Sequence, residues 1–172
     1  MERIKTDFST QQNREAHLKN VLLAIRDVNK LIARETDPEQ LIHKICNSLI
    51  KTRGYFNAWI ALTDGKGEVA ETSAAAGFNC GFGIMESALH RGEFPLCMRH
   101  SLDMNKVEVN RNPPADCPDC PLSSEYEGRS GLACRLSHKD RVFGIISVSV
   151  PEKFVHDNEE QDLFAELAAD LG

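Results

Sequence analysis

The segment that most restricts the fold lies late in the chain. Gly131 to Ser137 and Val142 to Val150 are two runs rich in β-branched and aliphatic residues, separated by the polar stretch His138-Lys139-Asp140-Arg141 and closed by Pro151. Runs of that length and composition on either side of a short polar turn predict a hairpin of two core strands. Downstream, Asp157 can cap a last helix on which Leu163, Phe164, Leu167, Ala168 and Leu171 share one apolar face. The pattern is still running where the sequence stops, which predicts a piece of a longer protein.

The first half reads differently. Between Arg14 and Arg34 there is no Pro or Gly, and Leu18, Val21, Ile25, Val28 and Ile32 alternate steps of three and four. That spacing is an a/d seam, with Leu22, Leu23 and Leu31 widening it, so the helix can pack on its own domain or on a partner chain. Asp37 and Pro38 then suit the cap and first position of a second helix, whose Leu41, Ile42, Ile45 and Leu49 form a buried face up to Gly54. Tyr55 to Leu62 predicts a strand, Thr63-Asp64-Gly65-Lys66-Gly67 a turn, and Glu68 to Ala75 the returning strand. Helices are expected over Ile84 to Arg91 and from Pro95 through Leu102, and a short strand over Lys106 to Val109. Arg111 to Ser124 carries four prolines and is expected to be an irregular loop with a functional or stapling role. Residues 1–34 thus read as a signalling or dimerisation helix, and 35–172 as one sensory domain.

Charge excludes some partners. The net charge of −6, with 20 scattered basic residues against 26 acidic ones, argues against phosphate-backbone binding, so no nucleic-acid partner is expected. No apolar run reaches the roughly 20 residues that cross a bilayer, and no signal peptide opens the chain, so a cytoplasmic location is expected. Asn79-Cys80-Gly81-Phe82-Gly83 is glycine-rich but lacks the Lys-Ser/Thr of a phosphate loop. No catalytic residues are recognised, and the domain is expected not to be an enzyme.

Six cysteines in a reducing compartment point to packing, metal or redox chemistry rather than a disulfide framework. Cys97 and His100, followed by Cys117 and Cys120, give two pairs of soft or borderline ligands, each pair two residues apart. Pro118 and Pro121 stiffen the second pair. This arrangement suits zinc or an iron–sulfur centre, with His100, Cys134 or Cys80 as fourth ligand. A redox pair needs a stabilised thiolate, and no Lys, Arg or His adjoins Cys117 or Cys120, while Asp119 opposes one. Trp59 is expected as core or pocket wall, with Cys134 beside it. Cys46, among Ile42, Ile45 and Leu49, reads as a small core residue.

The element order, and above all Gly131 to Pro151 with its mid-strand Gly144, then Phe154 and the acids Asp157 to Glu160, closely resembles a GAF domain. The resemblance covers about residues 35 to 172. Phe94-Pro-Leu-Cys97 and Cys117-Pro-Asp-Cys120-Pro-Leu122 look like GAF domains found beside PAS modules in prokaryotic sensor histidine kinases. It implies an α+β fold, an antiparallel β-sheet with helices packed on one face and a ligand pocket on the other, plus the long N-terminal and the C-terminal helix. It also implies a two-component input domain that binds a small ligand, metal or cofactor, forms a homodimer through its terminal helices, and drives a downstream transmitter domain. Lys153, Phe154 and the following acids are wrongly spaced for cyclic-nucleotide binding. Leu96-Cys97-Met98-Arg99-His100 sits where phytochrome-like GAF domains attach bilin, but with the His three residues on. Haem has no residue that specifies it. The alternatives to ligand sensing are a thiol-based redox sensor and a GAF-fold methionine sulfoxide reductase.

Overall fold

The computed structural model describes the backbone of residues 2–172 and the side chains of residues 15, 16 and 19–172. The chain opens with α1 (Glu2–Ile32) and α2 (Pro38–Ser48), continued by a π-helical turn over Leu49–Arg53. Strands β1 (Ala58–Thr63) and β2 (Ala70–Ala76) follow, then α3 (Phe82–His90), α4 (Leu96–Asp103) and β3 (Glu108–Asn110). After a short α5 (Pro113–Asp116) and a 3-10 turn (Ser123–Tyr126) come β4 (Ser130–His138) and β5 (Arg141–Val150). Two more helices, α6 (Glu152–Val155) and α7 (Asn158–Leu171), complete it. The strands form one antiparallel sheet in the order β2-β1-β5-β4-β3, so the architecture is α+β.

Local chemistry explains where elements begin. The Asp37 carboxylate accepts from the N–H of Glu39 and Gln40, and Pro38 occupies the first turn, so α2 starts where the cap and fixed φ place it. Asp157 does the same for α7 through the Glu159 N–H, 3.0 Å. Helix α1 runs back to Glu2 rather than to Arg14, because nothing in 2–13 breaks a helix. Strand β1 starts three residues later than Tyr55, since Tyr55 and Asn57 are engaged elsewhere: Tyr55 Oη donates to Glu160 Oε1 (2.9 Å), and Ser149 Oγ accepts from Asn57 N–H. Strand β2 begins at Ala70 because Asp64 Oδ1 draws the Glu68 N–H (2.8 Å) into the turn.

Side-chain alternation divides the sheet into two apolar layers. Ala58 and Ile60 of β1, Leu132, Cys134 and Leu136 of β4, and Ile146, Val148 and Val150 of β5 face α1, α2 and α7. Val21, Ala24, Ile25 and Val28 of α1 are buried in that same layer. The seam of α1 therefore packs on its own domain; Leu22 (60% exposed) and Leu23 (40%) are its outward apolar residues, and the side chain of Leu18 lies outside the described residues. The opposite layer gathers Trp59, Ala61, Ala133 and Ile145 beneath α3, α4 and the cysteine-bearing loop.

At Gly144, β5 lies directly against the backbone of β1. A Cβ there would sit 2.0 Å from the Ala61 carbonyl oxygen and 2.9 Å from Leu62 Cα, and its φ is +154°. Only glycine fits, which gives the mid-strand glycine of the sequence a steric cause. Among the described residues no helix is long and apolar enough to cross a membrane.

Candidate functional site

The site lies on the face of the sheet away from the long helices. Trp59 projects from β1 into it, Tyr126 closes it from the 3-10 turn, and Cys97, Cys117 and Cys120 stand around it. Cys97 is on the first turn of α4, where Pro95 precedes the helix without a side-chain cap. Cys117 follows α5 and is anchored by its N–H to the Pro113 carbonyl, 2.9 Å. Cys120 returns on the same turn, its N–H donating to the Cys117 carbonyl at 3.1 Å. Pro118 and Pro121 restrict that turn, so the thiols are held before any chemistry begins.

The three thiols line one cavity and perturb one another's ionisation, with Cys117 the one favoured as the anion. Its pKa is lowered chiefly by the side chain of Cys120, then by that of Cys97, against a cost of burial, and further by the backbone N–H groups of Cys97 and Leu96. Cys97 and Cys120 are both raised, first by hydrogen bonding to Cys117 and next by burial, as befits thiols that keep their protons. These opposed shifts favour the anion at Cys117 and the protonated form at Cys97 and Cys120, with Cys117 lying by the first residues of α4. The free N–H groups and dipole of that helix favour negative charge. No cation adjoins Cys117 in the sequence; in the fold the lowering comes from the other two thiols and the backbone at the start of α4.

Tyr126, 5% exposed, has its hydroxyl pKa pushed up by burial, partly offset by hydrogen bonds with Ser147 and Trp59. A carboxylate clasp holds its turn in place, Glu125 accepting from the N–H of Asn79 (2.9 Å) and Gly81 (3.1 Å). Phe78 packs on both Phe82 and Tyr126. The space among these walls that the centre of a water molecule can occupy is about 20 Å³. That is room for one water-sized guest.

The sequence-derived residues divide accordingly. Cys97, Cys117, Cys120 and Trp59 meet at this cavity. Cys134 does not, because β4 alternates and Cys134 points with Leu132 and Leu136 into the layer under the long helices. Cys80 is exposed on the link between β2 and α3. His100 is turned outward, its Nδ1 3.3 Å from Glu108 Oε1. Cys46 is fully buried against Ala74, and burial pushes its thiol up to about 12. Thiolates are the right donors for zinc or an iron–sulfur centre, yet among the described residues no three of His, Cys, Asp and Glu are grouped as a metal ion requires. The present grouping does not fit a metal centre, and neither haem nor bilin fits a space of this size. Sequence reasoning missed Asn110, Tyr126 and Ser147. Tyr126, an aromatic residue in an otherwise polar stretch after the cysteines, is the one it had a signal for.

No protein-family model and no curated protein match this chain. Solved structures do. The GAF domain of an Acinetobacter phosphoenolpyruvate-protein phosphotransferase superposes with a TM-score of 0.64 at 16% identity, over 87% of this chain and 89% of that one. The free methionine-R-sulfoxide reductase of Neisseria meningitidis, solved with its substrate, gives 0.61 at 18% identity, over 86% and 83%. The fRMsr of Staphylococcus aureus, also with substrate, gives 0.64 at 10% identity, over 88% and 92%. The chain thus has the GAF fold. The same neighbours correct the expectation of a non-enzymatic domain, since this fold houses methionine-R-sulfoxide reductases as well as the GAF domain of a phosphotransferase.

Proposed function

We propose that this GAF-fold chain is a sensory input domain read through reversible oxidation of Cys97, Cys117 and Cys120. One observation carries the reading: Cys97, Cys117 and Cys120 line one cavity, where the Cys117 pKa is lowered and those of Cys97 and Cys120 are raised, so a nucleophile and resolving thiols share one site. A two-electron oxidant converts Cys117 to a sulfenic acid, and the sulfur of Cys120 or Cys97 displaces its oxygen to form a disulfide. A Cys97–Cys117 bond joins α4 to the loop, whereas Cys117–Cys120 only tightens the turn. Strain from either passes through the sheet to α1 and α7. Those helices are the output, in a homodimer coupled to a transmitter such as a sensor histidine kinase, and the exposed Leu22 and Leu23 of α1 support self-association.

A second reading, reduction of a sulfoxide, is favoured by the reductases that share the fold. The same thiolate would attack the sulfoxide sulfur, take its oxygen, and be resolved to a disulfide. Methionine sulfoxide is far larger than the present cavity, so that reaction requires the loop to open.

Both readings are tested by oxidising the reduced chain with peroxide, alkylating the remaining thiols and locating the modified cysteines by peptide mass. A disulfide among Cys97, Cys117 and Cys120, abolished by Cys117→Ser, is expected. Full alkylation of all three after peroxide, or oxidation confined to Cys80, overturns the thiol reading. Stoichiometric loss of a sulfoxide substrate then separates the reductase from the sensor.

A further inference from the structure

We propose that the oxidant admitted to this site is hydrogen peroxide itself, selected by size and by the Asn110 side chain over organic hydroperoxides. The inference rests on the thiol-oxidation reading and narrows its substrate. Asn110 ends β3 opposite Gly131 and lines the cavity. Its Oδ1 is buried and has no hydrogen-bond partner among the described residues. A buried acceptor left unpaired costs roughly 1–3 kcal/mol, so it favours a guest that donates to it.

The sulfur of Cys117 lines the same space, as do the thiols of Cys97 and Cys120 and the side chains of Ser123, Tyr126 and Ser147. A guest here must donate a hydrogen to Asn110, present an oxygen to Cys117, and fit a space of about 20 Å³. Water satisfies these demands and is inert. Hydrogen peroxide satisfies them with little added volume and carries the reactive O–O bond. An alkyl hydroperoxide has one O–H and a hydrocarbon body for which Trp59 and Tyr126 leave no space. A small disulfide such as oxidised glutathione is larger still.

The chemistry balances without a further reagent. The Cys117 sulfur attacks one peroxide oxygen; the S–O bond forms, the O–O bond breaks, and hydroxide leaves with the electron pair. Hydroxide takes the thiol proton of Cys120 and becomes water. The Cys120 sulfur then attacks Cys117, the S–S bond forms, and the second hydroxide departs and is protonated from solvent. Peroxide is reduced to two waters while two thiols become one disulfide.

Trp59 is the only tryptophan and lines the cavity, so its fluorescence reports the reaction. The fully reduced chain is mixed with hydrogen peroxide or with tert-butyl hydroperoxide, and each rate is divided by that of free cysteine under the same conditions. The normalised preference for hydrogen peroxide is expected to be about tenfold or more, and Asn110→Ala is expected to remove most of it. Asn110→Ser repeats the comparison with a smaller loss of packing. Equal normalised rates in the unmodified chain, or an unchanged preference in folded Asn110 variants, overturn the selection by Asn110. If neither peroxide forms a disulfide among the three cysteines, the thiol reading fails with it, an outcome the mass analysis separates from unselective oxidation.

Discussion

Replacing Cys117 by serine should change how stability depends on pH, and the size of the change follows from the site. In the folded chain the Cys117 pKa is lowered by Cys120 and Cys97, whereas an unfolded cysteine titrates near 8.5. Between those two values the unfolded chain holds one proton that the native chain has lost, so stability rises with pH there and is lost as pH falls through the folded value. One proton corresponds to about 1.4 kcal/mol per pH unit. For a domain of this length that is roughly 3–5 °C in melting temperature per unit. Cys97 and Cys120, raised in the fold, act oppositely, but only above the unfolded value, where the unfolded chain releases protons that the native one keeps. Thermal melts under reducing conditions at pH 6, 7 and 8 should therefore rise more steeply for the unmodified chain than for Cys117→Ser by about that amount. Parallel curves across this window would falsify the buried thiolate, and with it the nucleophile assigned to Cys117.

Three other substitutions test the frame that holds the site. Gly144→Ala places a methyl 2.0 Å from the Ala61 carbonyl, all backbone, and should cost about 1–3 kcal/mol or more in urea denaturation, whereas Gly83→Ala, in open space on α3, should be neutral or gain up to about 1 kcal/mol. Glu160→Gln strands the Arg53 guanidinium, whose side chain is wholly buried and 2.5 Å from Glu160 Oε1; a loss of roughly 3–5 kcal/mol is expected, less when Arg53→Met accompanies Glu160→Leu. Ile25→Glu buries a carboxylate between α1 and the domain and should unfold it, while Leu22→Glu should leave the melting temperature unchanged and weaken self-association by light scattering.

The Ile25 prediction marks where sequence reasoning stops. Heptad-like spacing identifies a face of α1, but not what covers it; the next helix α2 with its π-helical turn, and α7 from the far end of the domain, pack on α1 and bury Val21, Ile25 and Val28. The β4–β5 hairpin and α2 were legible because their signals are local: two unbroken aliphatic runs, a polar turn, an Asp-Pro cap. The turns over Pro113–Asp116 and Ser123–Tyr126 were not, since a single turn leaves no periodicity to detect.

The cysteines show the same boundary in chemical form. Spacing brought Cys117 and Cys120 together correctly in the mind's eye of any ligand pattern, and it also suggested Cys134 and His100 as companions. Strand parity sends Cys134 to the other face, and Glu108 draws His100 outward. What lowers the pKa of Cys117 is local in one part, Cys120 three residues on, and non-local in the other, Cys97 and the N-terminus of a helix about twenty residues upstream. A thiolate can therefore be stabilised without any basic residue beside it. It follows that the rate at which this thiolate meets an oxidant is set less by its charge than by the walls of Trp59, Tyr126 and Asn110, which is why exclusion by size, rather than intrinsic nucleophilicity, is the property on which the site's selectivity should depend.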